Sequence, residues 1–233
     1  AGQLLAICSQ LDEAISAFEQ LKDRYYGTKE ALIGNIEKAK CLYKSGNIPS
    51  AISELEDLKK LTPSTDSEYK NILKNLSSIY NEVGLAEAAV EIASEWFQIE
   101  DNPEEKIEAG LILLNNDKTE MVYSSLENID LSSINREKAY NFLYSLSKKL
   151  LDKNPSEGLS LIEQVYYQYP EYRTPELRYS LSEAYIKTER TTSARRIIQD
   201  WENEVGTDED SIRGLIDAEI MWGDYMFEMK EWD

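Results

Sequence analysis

The chain of 233 residues contains no histidine. That absence removes imidazole as a general base and as a metal ligand, and with it the Ser-His-Asp and Cys-His arrangements and the usual catalytic zinc sites. Cysteine is almost as scarce. Cys8 and Cys41 stand 33 residues apart, neither in a Cys-x-x-Cys pair, and read as small buried hydrophobes rather than a redox or zinc motif. The ten glycines form no G-x-G-x-x-G or Walker-type loop, so no phosphate cradle has a candidate. The longest aliphatic run, residues 111–114, is far short of the roughly 18 residues that a membrane-spanning helix needs. Cations are the last shortage: 25 Lys and Arg face 44 Asp and Glu, a formal net charge of −19. Such a surface repels phosphate backbones and anionic membranes, which argues against a nucleic-acid partner and against membrane insertion. The acidic clusters Asp208-Glu209-Asp210 and Glu100-Asp101 with Glu104-Glu105 lack the ligand spacing of a calcium loop and read as loops and helix starts. No catalytic residue, metal site or cofactor is expected. A carboxylate pair such as Glu176 and Glu183 at glycosidase spacing is the enzymatic alternative, although 44 acidic residues create such pairs by chance.

What is present is a helical period. With 42% hydrophobic and 30% charged residues, the chain is apolar enough to bury a core. Apolar residues recur three and four apart, as in Leu11, Ile15, Phe18, Leu21 and Tyr25, or Ile52, Leu55, Leu58 and Leu61. Pro63, Pro103, Pro155 and Pro170 follow these stretches as stop signals, while between Gly110 and Pro155 only polar clusters punctuate. The fold class is all-α.

The helices repeat as pairs. Ala39-x-x-Leu42, Gly46, Ala51-x-x-x-Leu55-x-x-Leu58, Pro63 lays out a helix, a turn and a second helix, and Leu73-x-x-Leu76-Ser77-x-x-Tyr80, Gly84, Ala89-x-x-x-Ala93-x-x-Trp96 lays out another. The residue opening the second helix recurs at Ala14, Ala51, Ala89, Val122, Gly158 and Ala194, at spacings of 37, 38, 33, 36 and 36 residues. Small side chains there let two helix backbones approach, so Ala89→Leu should destabilise far more than a surface change such as Glu54→Ala. Leu55, Leu58, Trp96, Leu126, Ile129, Ile162, Val165, Ile198 and Trp201 should knit the pairs together.

At Ala14-x-x-x-Phe18, Leu76-Ser77-x-x-Tyr80 before Ala89, Ala109-Gly110-x-x-Leu113 before Val122, and Leu181-Ser182-x-x-Tyr185 before Ala194-x-x-x-Ile198, the chain resembles the tetratricopeptide repeat family. The resemblance implies a right-handed superhelical solenoid of stacked helical hairpins. Residues 1–233 would form a single array of about six units, incomplete at both ends, with a partial unit at 211–233. It also implies a protein-interaction scaffold, with a peptide or protein partner, basic or neutral, held on a concave face built from the first helix of each unit. Mapped onto this chain, the groove positions are Ile36, Lys40, Tyr43, Asn71, Lys74, Asn81, Tyr140, Tyr179, Glu183 and Ile186. The carboxylate clamp of one subclass is not expected, because Lys74 and Asn71 are present but Ser78 stands where an asparagine is wanted. The rhythm Tyr169-Pro170, Pro175-Glu176-Leu177, Ser182-x-x-Tyr185 is similar to bacterial cell-envelope repeat proteins and tilts the expected location toward the periplasm, with the cytoplasm as the alternative. The tyrosines Tyr166, Tyr167, Tyr169 and Tyr172 read as a packed helix end in preference to a ligand-stacking patch. Met221, Trp222, Met226, Phe227, Met229 and Trp232 crowd the C-terminal end. This predicts an excerpt of a longer repeat protein with an exposed end open to self-association, and the few residues before Ala14 predict an incomplete N-terminal unit.

Overall fold

Two kinds of helix start recur along the chain. The computed structural model describes residues 10–230, in which the helices are α1 (Leu11–Arg24), α2 (Lys29–Lys44), α3 (Ile48–Leu61), α4 (Ser67–Glu82), α5 (Ala86–Ile99), α6 (Pro103–Asn115), α7 (Thr119–Ser124), α8 (Arg136–Lys153), α9 (Pro155–Gln168), α10 (Pro175–Lys187), α11 (Thr191–Glu204) and α12 (Glu209–Lys230). No strand occurs among the described residues. The helices α2, α4, α6, α8 and α10 begin behind Thr28, Asp66, Asn102, Asn135 and Thr174, whose side-chain oxygens accept N–H groups of the first turn. Each such cap is worth about 1 kcal/mol.

The helices that follow α2, α4 and α10 have no side-chain cap. Their start is set by the end of the helix before. A residue of positive φ, Gly46 (84°), Gly84 (77°), Asp117 (60°) or Glu189 (60°), turns the chain. The next N–H then reaches back five residues: Asn47 to Leu42, Leu85 to Tyr80, Lys118 to Leu113 and Arg190 to Tyr185, at 2.9, 2.9, 2.9 and 2.8 Å. This is the left-handed helix ending that satisfies otherwise orphaned carbonyls. It closes the turns after α2, α4, α6 and α10.

The small residues of the sequence period each stand fourth in a second helix: Ala14, Ala51, Ala89, Val122, Gly158 and Ala194, all buried. At Gly158 the approach is closest. A Cβ there would lie 2.5 Å from the Cα and N of Leu151, so α8 and α9 cross backbone to backbone. That hairpin also dispenses with a left-handed residue, since Asn154 alone separates the two helices.

Two compact units result, one ending at Lys118 and the other beginning at Thr119. In unit 1, α2 packs on α1 and α3, α4 on α3 and α5, and α6 on α5; the first helices also touch, α2 with α4 and α4 with α6. In unit 2, α8 packs on α7 and α9, and α10 on α9, α11 and α12. The expected core residues Leu55, Leu58, Trp96, Ile129, Ile162, Val165, Ile198 and Trp201 are buried, and Leu126 is half-buried. Full burial of a large side chain is worth about 1.5–3 kcal/mol. Cys41 packs with Ala14 and Phe18, and burial pushes its thiol pKa up. Cys8 lies outside the described residues, as do the few residues before Gln10.

One second helix is cut short. After α7, six residues long, the chain makes 3-10 turns at Leu126–Asn128 and Leu131–Ser133. Hydroxyls there bond the local backbone instead of leaving it to a helix: Ser125 to Met121 O (3.1 Å) and Ser133 to Asp130 O (2.8 Å), while Asp130 accepts from the Ser132 N–H at 3.1 Å.

One tyrosine position welds consecutive hairpins in both units. Tyr80 and Tyr185, nine residues before the small residues Ala89 and Ala194, donate to Glu56 and Glu163 of the preceding second helix at 2.5 and 2.6 Å. Burial and then the carboxylate partner raise both phenol pKa values.

Candidate functional site

Each unit carries its own first-helix face, and the two differ in what they leave unpaired. In unit 1 the face is built from α2, α4 and α6. Lys40, Asn71 and Lys74 line a cleft of about 380 Å³ with Lys70, Asn75 and Trp96. Its cations are already matched. Lys40 pairs with Glu37 at 2.8 Å, Lys70 with Asp101 at 3.0 Å and Glu100 at 3.4 Å, and Lys74 with Glu105 and Glu108, both at 2.7 Å. Burial disfavours the Lys74 ammonium, but its two carboxylates outweigh burial and raise its pKa. The Glu100 carboxylate in turn accepts the Trp96 indole N–H at 3.1 Å and the N–H groups of Asp101 and Asn102 at 3.0 Å. Asn81 accepts from Asn116 at 3.2 Å, and the Tyr43 hydroxyl donates to Glu82. A lysine so saturated has no charge to offer a ligand carboxylate.

Ile36 belongs elsewhere. It is fully buried, because α2 is covered by α1, α3 and α4 together, and the expectation that it lines a partner surface is corrected accordingly.

In unit 2 a groove of about 940 Å³ runs between α8, α10 and α12, the first helices of that unit. Tyr179 and Ile186 line it, together with Tyr144 from α8 and Ile220, Met221 and Tyr225 from α12. Gly214 lets α12 come close: a Cβ there would fall 2.9 Å from the Trp201 ring and 3.1 Å from Pro175. Around these apolar surfaces stand the carboxylates Glu176, Asp210, Asp217, Asp224 and Glu228, against the cations Lys148 and Arg213. Five negative groups against two positive ones give the groove a negative potential. The Tyr179 phenol pKa is raised by burial and then by Glu183 and Asp217.

Glu183 stands apart from the lining and pairs with Lys187 at 3.0 Å, which also reaches Asp152 at 3.1 Å. Tyr140 is a second correction. It is only 6% exposed, with its ring stacked on Tyr172 and Tyr144 at 4.6 and 5.8 Å and tilted to Tyr169 at 6.1 Å, so it is a packing residue. Tyr166 and Tyr169 are likewise buried, under the guanidinium groups of Arg173 (4.3 Å) and Arg136 (4.8 Å), while Tyr167 is exposed. The α12 contribution was missing from the sequence-based set. Its signal was the spacing of Asp217, Ile220, Met221 and Asp224, three and four apart on the last first helix.

The packed side of α12 joins Leu215, Ala218 and Trp222 to Ile198 and Trp201. Ile216, Ile220 and Phe227 are more than half exposed at 52, 55 and 65%. Trp232 lies outside the described residues. Among the described residues no group of three His, Cys, Asp or Glu side chains is placed to hold a metal ion, and no helix is long and apolar enough to cross a membrane.

No protein-family model matches the sequence, and no curated protein matches it. Solved structures do resemble it. The C-terminal part of a tetratricopeptide-repeat-containing protein from Cytophaga hutchinsonii superposes with a TM-score of 0.62 at 14% identity, covering 99% of this chain and 84% of that one. YrrB, described as a tetratricopeptide repeat protein with an unusual peptide-binding site, gives 0.60 at 14% identity, covering 93% and 99%. A tetratricopeptide repeat protein from Parabacteroides merdae gives 0.57 at 14% identity, covering 96% and 86%. The fold of this chain is that of the tetratricopeptide repeat: stacked helical hairpins registered by a small buried residue in every second helix.

Proposed function

We propose that the chain is a protein-interaction scaffold whose partner, an extended peptide segment carrying Lys or Arg beside apolar residues, binds the groove between α8, α10 and α12. The observation that carries this reading is the excess of carboxylates around an aromatic and aliphatic floor in that groove. Tyrosines give large amphipathic contact at low entropy cost, and unmatched carboxylates draw in cationic partners and set their register. The first-helix face of unit 1, with its lysines bound by carboxylates, is the weaker candidate.

Panning displayed random peptides on the protein tests it. Selected sequences are expected to be rich in Lys, Arg and aliphatic residues, to bind more weakly as salt rises, and to lose about tenfold or more in affinity to Tyr179→Ala, which is about 1.4 kcal/mol. Selection of acidic peptides, or equal binding by Tyr179→Ala, overturns it. A second reading, self-association, rests on the exposed Ile216, Ile220 and Phe227 of α12. Sedimentation at rising concentration should then show a dimer that Ile220→Asp abolishes, and a monomer throughout removes that reading.

A further inference from the structure

Unit 1 holds a second groove, of about 470 Å³, outside the first-helix face. It runs between α1, α2 and α3 and the turns at Tyr26–Thr28 and Thr62–Asp66, so second helices form much of its wall. Asn35 is on its lining. The residue sixteen before the small residue of the following helix varies: Leu73 before Ala89 and Phe142 before Gly158 are fully buried, while Lys106 before Val122 and Arg178 before Ala194 are half-buried. The same place before Ala51 is held by Asn35, which is 7% exposed and whose Oδ1 has no hydrogen-bond partner.

A buried carboxamide left unpaired is destabilising, and native proteins rarely keep one without a use. The charged groups beside it are compensated. Lys38, also buried, pairs with Glu54 at 2.9 Å, and Lys22 approaches the same carboxylate at 3.5 Å. What remains unmet is therefore a neutral amide. The groove's lining also holds apolar side chains: Leu61 at 79% and Tyr26 at 84% exposed, Leu32 half-buried and Leu58 buried.

A peptide bond offers one donor and one acceptor, and rotation about χ2 lets a carboxamide meet either. We propose that this groove is a second peptide-binding site, independent of the unit 2 groove. Its ligand is a neutral extended segment whose backbone amide pairs with the side-chain amide of Asn35 while an apolar side chain lies against Leu58, Leu61 and Tyr26. Its chemistry differs from that of the acidic groove, because among its lining carboxylates Glu54 and Asp57 are paired with Lys38 and Lys60, and Asp66 caps α4.

The test is an NMR titration of the nitrogen-15-labelled full chain with the capped neutral tripeptide acetyl-Ala-Leu-Ala-amide, with acetyl-Ala-Lys-Ala-amide as the charged counterpart. Saturable shifts are expected for the Asn35 side-chain NH₂ and the backbone amides of Gly27, Leu32 and Leu61, with a dissociation constant of about a millimolar or tighter for the neutral peptide. Asn35→Leu, which removes the unpaired buried amide, should keep or raise the melting temperature and weaken binding about tenfold or more. Leu61→Ser, at an exposed position, should weaken binding without moving the melting temperature. Absence of saturable shifts overturns the proposal, as does tighter binding of the lysine peptide or binding indifferent to Asn35→Leu and Leu61→Ser. Tyr179→Ala should leave these shifts intact, so the two grooves fail or succeed separately.

Discussion

The α4–α5 hairpin of unit 1 and the α8–α9 hairpin of unit 2 reach the same arrangement from different residues. The first turns through three residues with a left-handed Gly84 and seats Ala89 against its partner helix. The second has Asn154 alone between its helices, and replaces the alanine by Gly158. Shortening the turn draws the two backbones together until even a methyl group no longer fits. The small residue and the turn are thus one choice rather than two.

The largest effect should come from testing that link. Gly158→Ala places a Cβ on the backbone of Leu151 and is expected to cost about 3 kcal/mol, at the upper end of overpacking. Ala89→Gly in unit 1 should cost about 1 kcal/mol, the ordinary helix penalty of glycine. Urea midpoints will show it, and equal losses would mean that the two hairpins cross at the same separation after all.

Next in size is the feature the units share. Tyr80→Phe and Tyr185→Phe should each cost about 1 kcal/mol, and by similar amounts, because each removes one hydrogen bond between hairpins. Both phenol pKa values are raised in the folded state, first by burial and then by Glu56 and Glu163. Their contribution is therefore full below the unfolded value near 10, and is lost as pH rises from there through the folded value. Denaturation curves between neutral pH and pH 11 should fall less for the double Phe variant than for the native chain. A parallel fall removes the tyrosines as the cause.

Smallest is the turn residue itself. Glu189 holds with a full side chain the conformation that Gly84 holds without one. Glu189→Gly is expected to stabilise by about 0.5 kcal/mol, and Gly84→Ala to destabilise by about 1 kcal/mol. Melting temperatures moving in the same direction for both would show that the turn is not conformationally limited.

The hairpins were legible in the sequence because close helix contact restricts residue size. Ala14, Ala51, Ala89 and Ala194 mark the second helices by being small among large neighbours, and the structure places each in a buried contact. Side-chain partners were not legible. Periodicity tells which way a residue faces but not what stands opposite, so Glu54 reads as an indifferent surface residue although it neutralises buried Lys38. For the same reason Lys74 reads as a groove residue without the two carboxylates, Glu105 and Glu108, that hold it. Ile36 and Tyr140 were misplaced because first helices are covered on more than one side. Asn35 escaped notice because a polar residue in a helix ordinarily faces water.

The turns inside hairpins and the joints between them carry different freedom to change length. From first helix to second, the connection is three residues after α2, α4, α6 and α10, and one after α8. From second helix to the next first helix it ranges from three residues between α5 and α6 to eleven between α7 and α8. A joint ending in a side-chain cap can begin a helix wherever the capping residue falls, whereas a turn closed by a backbone bond from five residues back fixes its own count. Within this chain the variation in length therefore falls mainly at the capped joints, and the four turns closed by a backbone bond keep one register.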